Sequence, residues 1–337
     1  MKRNMTNWVD ETLEAERKKG FLVLSFPAIQ KMGITVKDLI GSSDLQAQAM
    51  KLVADETPEA AAAVSMMDLS LEAEAFGSTI HVSDDEVPTV VGSIIATEED
   101  ADALQVPEIG AGRTQIYIDA IEKSVKLIED RPVFAGVIGP FSLAGRLMDV
   151  SEAMIYCYEE PDMVHTVLEK VTEFLIQYIN AYKAVGANGV LMAEPLAGLL
   201  SPALEEEFSC VYVKKIVEAT QTQDFIVGYH NCGNCTIQQI NSITSNGCRV
   251  LHFGNAIDMA EMMPKIPENI LAMGNVDPAG EFRNGTPDSV KARTRELLEA
   301  CGSYKNFVVS SGCDIPPMSD WNNIMAFFEG INEYYGK

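Results

Sequence analysis

Residues 225–235 read F-I-V-G-Y-H-N-C-G-N-C. A short apolar run ends abruptly in His230, and Cys232 follows two places later. A buried strand surfacing into polar residues has this form, and Gly233 permits a tight turn with backbone close to whatever the two side chains hold. The form recurs along the chain. Short apolar or β-branched runs lie at 21–26, 62–67, 133–138, 189–193, 225–229, 249–253, 270–273 and 307–310. Between most of them run longer stretches, 153–184 and 201–220 among them, whose apolar residues recur at three and four. Pro202 and Pro287 stand where the first turn of a helix tolerates a missing amide. Strands that alternate with helices pair in parallel, because each return crossing needs a helix.

Eight such runs in 337 residues predict an α/β fold, a single-domain (β/α)8 TIM barrel over 21–337 behind an N-terminal helical extension at 1–20. A doubly wound open sheet is the runner-up, weakened because no G-x-G-x-x-G follows the first strand. Residues 79–112 are acidic, carry Pro88 and Pro107 and show no clear period. They read as an excursion between the second and third strands, a loop or small hairpin over the barrel mouth.

The composition is globular, 47% hydrophobic and 22% charged. No uninterrupted apolar run approaches the roughly 18 residues of a membrane helix. The opening M-K-R-N-M-T-N-W-V-D-E-T-L-E-A is charged and amphipathic and lacks the apolar core of a secretion signal, so the expectation is a soluble cytoplasmic protein with no membrane partner. With 49 acidic against 25 basic residues, the formal charge of −24 repels a phosphate backbone, which argues against nucleic acid. Seven cysteines, an odd number without a signal segment, point to reduced thiols. Nothing in the sequence sets the oligomeric state.

Active sites of parallel barrels form at the carboxyl ends of the strands. Those ends here carry Asp68, Gly139-Pro140, Glu194-Pro195, His230, Gly254-Asn255, Asn275 with Asp277, and Cys313. The set is rich in metal-ligand and acid/base types. His230 and Cys232 are both good zinc ligands, although an H-x-C also fits a satisfied histidine beside a core cysteine. Cys232 and Cys235 form a C-x-x-C, but a redox pair normally opens a helix after the first strand of a small α/β unit. Cys313 follows Gly312 and precedes Pro316 and Pro317, in an exposed constrained turn unsuited to an inert core thiol. In a closed barrel the last strand comes round to the middle ones, so Cys313 can meet His230 and Cys232. Glu194 is either a fourth ligand or an acceptor that orients the histidine ring. His252 could reach the site, but on an alternating strand it reads first as a hydrogen-bonded core residue. His81 and His165 read as solvent-facing or satisfied side chains.

Six stretches together resemble the uroporphyrinogen decarboxylase superfamily, and within it the cobamide-dependent methyltransferase branch. They are D-L-S-L-E-A-E-A-F-G (68–77), G-V-I-G-P-F-S-L-A (136–144), G-A-N-G-V-L-M-A-E-P (186–195), H-N-C-G-N (230–234), G-N-V-D-P (274–278) and S-G-C-D-I-P (311–316). The resemblance implies a barrel holding zinc through His230, Cys232 and Cys313, with Glu194 as candidate for the remaining place. It also implies methyl transfer between a methylcobamide, brought by a partner corrinoid protein, and a small thiol such as coenzyme M. Asp68 and Glu194 are the catalytic candidates, and Asn275 with Asp277 the candidates for contact with the cofactor.

One alternative is a uroporphyrinogen-type decarboxylase, since Asp68 matches the aspartate of those enzymes. The decarboxylases carry an arginine-containing R-Q-A-G-R near the first strand that binds porphyrinogen carboxylates. The corresponding residues here, S-F-P-A-I-Q-K-M-G (25–33), contain no arginine. A second alternative is a zinc- or corrinoid-binding protein without catalysis.

Overall fold

The computed structural model describes residues 3–336. Its strands are β1 (Ala63–Val64), β2 (Thr79–His81), β3 (Thr89–Val91), β4 (Val133–Ile138), β5 (Gly189–Ala193), β6 (Ile226–Asn231), β7 (Val250–Phe253), β8 (Leu271–Val276) and β9 (Phe307–Ser311). Seven of them form a parallel sheet in the order β1-β4-β5-β6-β7-β8-β9. Each neighbouring pair after β4 is joined through helical segments, the arrangement that parallel pairing requires. Pro202 and Pro287 both open helices, where the absent amide costs nothing. The segment after β1 contains the antiparallel hairpin β2–β3 and a short helix, Glu98–Ala103.

The sheet curls until one extended segment touches both of its edges: Phe21 bridges Ser310 of β9, and Gly20 bridges Ala60 ahead of β1. Residues 21–26 do not form the ladder expected of them. Phe21 lies opposite Ser310, and β9 ends at Ser311, so the pairing surface runs out. Val23 instead donates its amide to the Ser311 hydroxyl at 3.2 Å and accepts from the Ile315 amide at 3.0 Å. The run 62–67 likewise shortens to Ala63–Val64. The Ser65 hydroxyl takes the Gly136 amide at 2.8 Å, displacing the backbone partner that would continue the strand.

Two apolar clusters divide the two faces of the sheet. Val133, Ala135, Val190, Met192, Val227, Tyr229, Leu251, Phe253 and Val309 pack outward against the helices. Phe134, Leu191, Ala193, Ile226, Val250, Leu271, Met273 and Val308 fill the concave side, where the helix Met5–Glu14 adds Met5 and Val9. Burial on both faces explains why these strands read as continuous apolar runs. The predicted helix over 153–184 is interrupted by Glu160, with Val150–Glu159 ending there and Pro161–Ala184 beginning with its proline in the first turn.

Glu72 is a charge-bearing group inside this packing. One carboxylate oxygen accepts the Ile138 amide at 3.1 Å, while Oε2 is buried without a partner. Burial pushes the carboxyl up from its ordinary 4.5 to about 8. The folded chain therefore holds this proton more tightly than the unfolded one. The resulting stability is complete below about pH 4.5 and is lost as pH rises toward about 8. Glu72→Gln should flatten the fall in unfolding free energy over that window by on the order of 5 kcal/mol. Denaturant titrations at several pH values check this, and identical slopes for variant and wild type would contradict it.

Candidate metal centre

The concave face places its last row of side chains at the carboxyl end of the sheet. Strand register sets Ala193, His230, His252 and Met273 side by side, with Asn275 opposite Ser310. His230 thus lies within β6, one residue before its end, and is buried. Asn231 then locks the turn. Its Oδ1 accepts from the Gly233 amide at 2.9 Å and from Thr236 Oγ1 at 3.0 Å, and its Nδ2 donates to Tyr229 at 3.0 Å. That turn presses Cys232 against the end of β7. A Cβ on Gly254 would stand 2.3 Å from the Cys232 Cβ, so only glycine allows the approach. Cys313 arrives from the far edge of the sheet, two residues beyond β9. The next residue, Asp314, accepts the Met67 amide at 2.7 Å and so fastens this turn to the chain beyond β1.

One ligand atom from each of His230, Cys232 and Cys313 falls within 4.8 Å of the others. The Nδ1 of His230 is 2.7 Å from Nδ1 of His252, whose Nε2 is 2.7 Å from Ser310 Oγ. His230 Nε2 is buried and has no hydrogen-bond partner. The two thiols share a hydrogen bond. A hydrogen bond from Cys313 holds Cys232 well below the usual thiol range, against the cost of burial and with further help from His230. The same bond, together with burial, pushes Cys313 well up. The pair thus yields one thiolate readily. Burial and the neighbouring His230 hold His252 well below the usual histidine range, so that ring is neutral.

These donors fit zinc. The metal takes imidazole nitrogen at about 2.0–2.1 Å and thiolate sulfur at about 2.3 Å, which puts tetrahedral ligand atoms roughly 3.5–3.8 Å apart. Small side-chain movements bring the trio to that spacing, and an orphaned imidazole nitrogen beside two sulfurs is otherwise a costly thing to bury.

The remaining sequence candidates lie outside the trio. Glu194 is fully buried, and its oxygens accept the amides of Phe141 at 2.7 Å and Ser142 at 2.8 Å, with Ser209 Oγ at 3.2 Å. It closes the N-terminus of the helix Pro140–Met148, where unpaired amides attract a carboxylate. Burial pushes its carboxyl up to about 7 while those hydrogen bonds pull it down. Asp68 is paired with Arg113 Nη1 at 2.5 Å and accepts from Tyr117 at 2.7 Å, and Arg113 Nε also meets Glu74 at 2.6 Å. Asn275 donates to the carbonyls of Gly254 at 2.8 Å and Ile257 at 2.6 Å, which shapes the loop beyond β7. Asp277 caps the turn Pro278–Arg283 through the amides of Ala279 and Gly280. Cys235 is not among the gathered ligands. His165 is hydrogen-bonded to Tyr212 at 2.8 Å, and His81 is exposed.

Two participants, Asp314 and Arg113, escaped the reading of the sequence. Asp314 adjoins a predicted ligand and could have been included on that ground. His252, read from the sequence as a hydrogen-bonded core residue, is buried and hydrogen-bonded, and strand register makes it the neighbour of His230. Arg113 had no local signal, because it ends an aperiodic segment and meets Asp68 45 residues away.

The fold is an α/β one with a curled seven-stranded parallel sheet, and a histidine and two cysteines gather at its carboxyl end. The chain belongs to the uroporphyrinogen decarboxylase (URO-D) family, whose profile matches residues 17–334. Relatives include the methylcobamide:CoM methyltransferase MtbA of Methanosarcina mazei, 29% identical over 276 residues, covering 79% of this chain and 78% of that protein. They also include the uroporphyrinogen decarboxylase of Coxiella burnetii, 26% identical over 286 residues, covering 81% of this chain and 77% of that one. A solved methyltransferase from Methanosarcina mazei superposes with a TM-score of 0.88 over 99% of both chains at 22% identity, which shows a shared fold. No helix among the described residues is long and apolar enough to cross a membrane.

Proposed function

We propose that this chain is a zinc-dependent methyltransferase that moves a methyl group between a methylcobamide, carried by a partner corrinoid protein, and a small thiol. The observation that carries the reading is the convergence of His230, whose buried Nε2 has no hydrogen-bond partner, with the sulfurs of Cys232 and Cys313. The MtbA relatives support methyl transfer as the chemistry. The fold that goes with it is a (β/α)8 barrel whose first stave is the extended segment from Gly20, a reading supported by its bridges to both edges of the sheet.

His230, Cys232 and Cys313 would hold the ion. When bound, zinc supplies the Lewis acidity that keeps a substrate thiol deprotonated at neutral pH. The chain's own contribution is placement and charge. Two cysteine thiolates and a neutral imidazole form an electron-rich ligand set that leaves a substrate sulfur nucleophilic. In the proposed transfer the sulfur would take the methyl carbon, and the electron pair of the broken cobalt–carbon bond would remain with the partner's corrinoid. Glu194 acts by fastening the helix Pro140–Met148 beside β6 rather than by ligation. Asn275 and Asp277 shape the mouth loops that meet the corrinoid partner.

A decarboxylase reading draws on the Coxiella burnetii relative and on Asp68. Arg113, the arginine beside Asp68, already answers two carboxylates and is not free for those of a porphyrinogen. The test is methyl transfer from methylcobalamin across a panel of small thiols, followed by the change in cobalamin absorbance. Zinc-loaded protein should accelerate transfer to at least one thiol. No acceleration with any of them would refute the proposal.

A further inference from the structure

We infer that His252 is a positioning residue, which fixes His230 in the tautomer whose Nε2 lone pair faces the metal. This rests on the zinc reading above. The argument follows the direction of three hydrogen bonds. Ser310 Oγ donates its only proton to the Ser311 carbonyl at 3.0 Å. Its remaining interaction, with His252 Nε2 at 2.7 Å, must therefore be one in which it accepts. His252 thus carries its proton on Nε2. Its contacts are a ring nitrogen, a hydroxyl and the Ser311 backbone carbonyl, none of them an anion that would balance a buried imidazolium, so the ring is neutral and Nδ1 is a lone pair.

His230 Nδ1 lies 2.7 Å from that lone pair. Two lone pairs at this distance repel, so His230 Nδ1 is the donor. A ring nitrogen that binds a metal carries no proton, so with the proton on Nδ1 the ligand is Nε2, the buried atom without a hydrogen-bond partner. Reversing the relay would put the proton on Nε2 and abolish the ligand. Strand register makes the arrangement rigid, because His230 and His252 are paired across β6 and β7, and both rings lie on the concave face.

The experiment measures zinc affinity by competition with a chromophoric chelator, for wild type, His252→Phe, His252→Asn and Ser310→Ala. The absorption spectrum of each protein loaded with Co²⁺ is recorded beside it. His252→Phe keeps a ring without the acceptor and should bind zinc roughly 10- to 100-fold more weakly, with altered cobalt ligand-field bands. His252→Asn can present its amide oxygen near the lost Nδ1 and should stay within about threefold of wild type. Ser310→Ala keeps the volume but frees the tautomer, and should weaken binding by roughly threefold or more.

A His252→Phe protein with wild-type affinity and spectrum would overturn the inference while leaving the zinc site standing. So would a His252→Asn protein as weak as His252→Phe, since packing alone would then account for both. If His252→Phe does not fold, Ser310→Ala decides, and unchanged affinity there overturns the inference. A wild-type protein that binds no zinc overturns the zinc reading and this inference together.

Discussion

Replacing Cys313 with alanine should lower zinc affinity by roughly 100- to 1000-fold and abolish methyl transfer at ordinary zinc concentrations. The magnitude follows from dividing an apparent zinc binding free energy of about 10–16 kcal/mol among about four ligands. Two features make this position the most revealing of the three. Cys313 comes from the opposite edge of the sheet from the residues before β4, and it reaches His230 and Cys232 only because the sheet curls. Its loss also removes the hydrogen bond that holds the Cys232 thiol low. The variant therefore loses one ligand and weakens another. His230 and Cys232 stay on β6 and its following turn, held by the Asn231 bonds, so the fold should survive. Elemental analysis after purification, with circular dichroism to confirm folding, checks the prediction. Stoichiometric zinc in the variant would contradict it.

Arg113→Ala should destabilise the chain by about 3–5 kcal/mol, the usual cost of removing one partner from a buried ion pair. Asp68 is buried and has its carboxylate against Arg113 at 2.5 Å, and the same guanidinium reaches Glu74 at 2.6 Å. Without the arginine, a buried carboxylate keeps only the hydroxyls of Tyr117 and Ser70 and the Ser70 amide. Arg113→Lys should fall between, because an ammonium cannot serve both carboxylates through a planar fork. Adding Asp68→Asn to Arg113→Ala should recover part of the loss, since the unbalanced charge is gone. Urea unfolding of the four proteins measures these differences. A loss under about 1 kcal/mol for Arg113→Ala would show that Asp68 does not depend on it.

The gathering of the three candidate ligands was more legible in the sequence than the contacts around them. His230, Cys232 and Cys313 were visible because a ligand-type residue at a strand end stands out against an apolar run, and strand ends converge in a parallel sheet. Glu194 met the same criteria of type and position. Its carboxylate is nevertheless claimed by the amides of Phe141 and Ser142, which a strand-by-strand reading cannot bring near. The strands β4 and β5 matched their apolar runs because both faces are buried. The run 21–26 looks alike in composition but lacks a continuing partner, since β9 stops at Ser311. Asp68 was visible and Arg113 was not, because their pairing depends on where the aperiodic segment before the helix Thr114–Leu127 comes to rest.

The most direct test of the central claim is a paired assay on one preparation, zinc-loaded, stripped by chelator, and reconstituted with zinc. Transfer of methyl from methylcobalamin to a small thiol and release of carbon dioxide from uroporphyrinogen are measured side by side. The account predicts methyl transfer that disappears on stripping and returns with zinc, and no release of carbon dioxide in any state. Carbon dioxide release indifferent to the metal, with no methyl transfer, would contradict it.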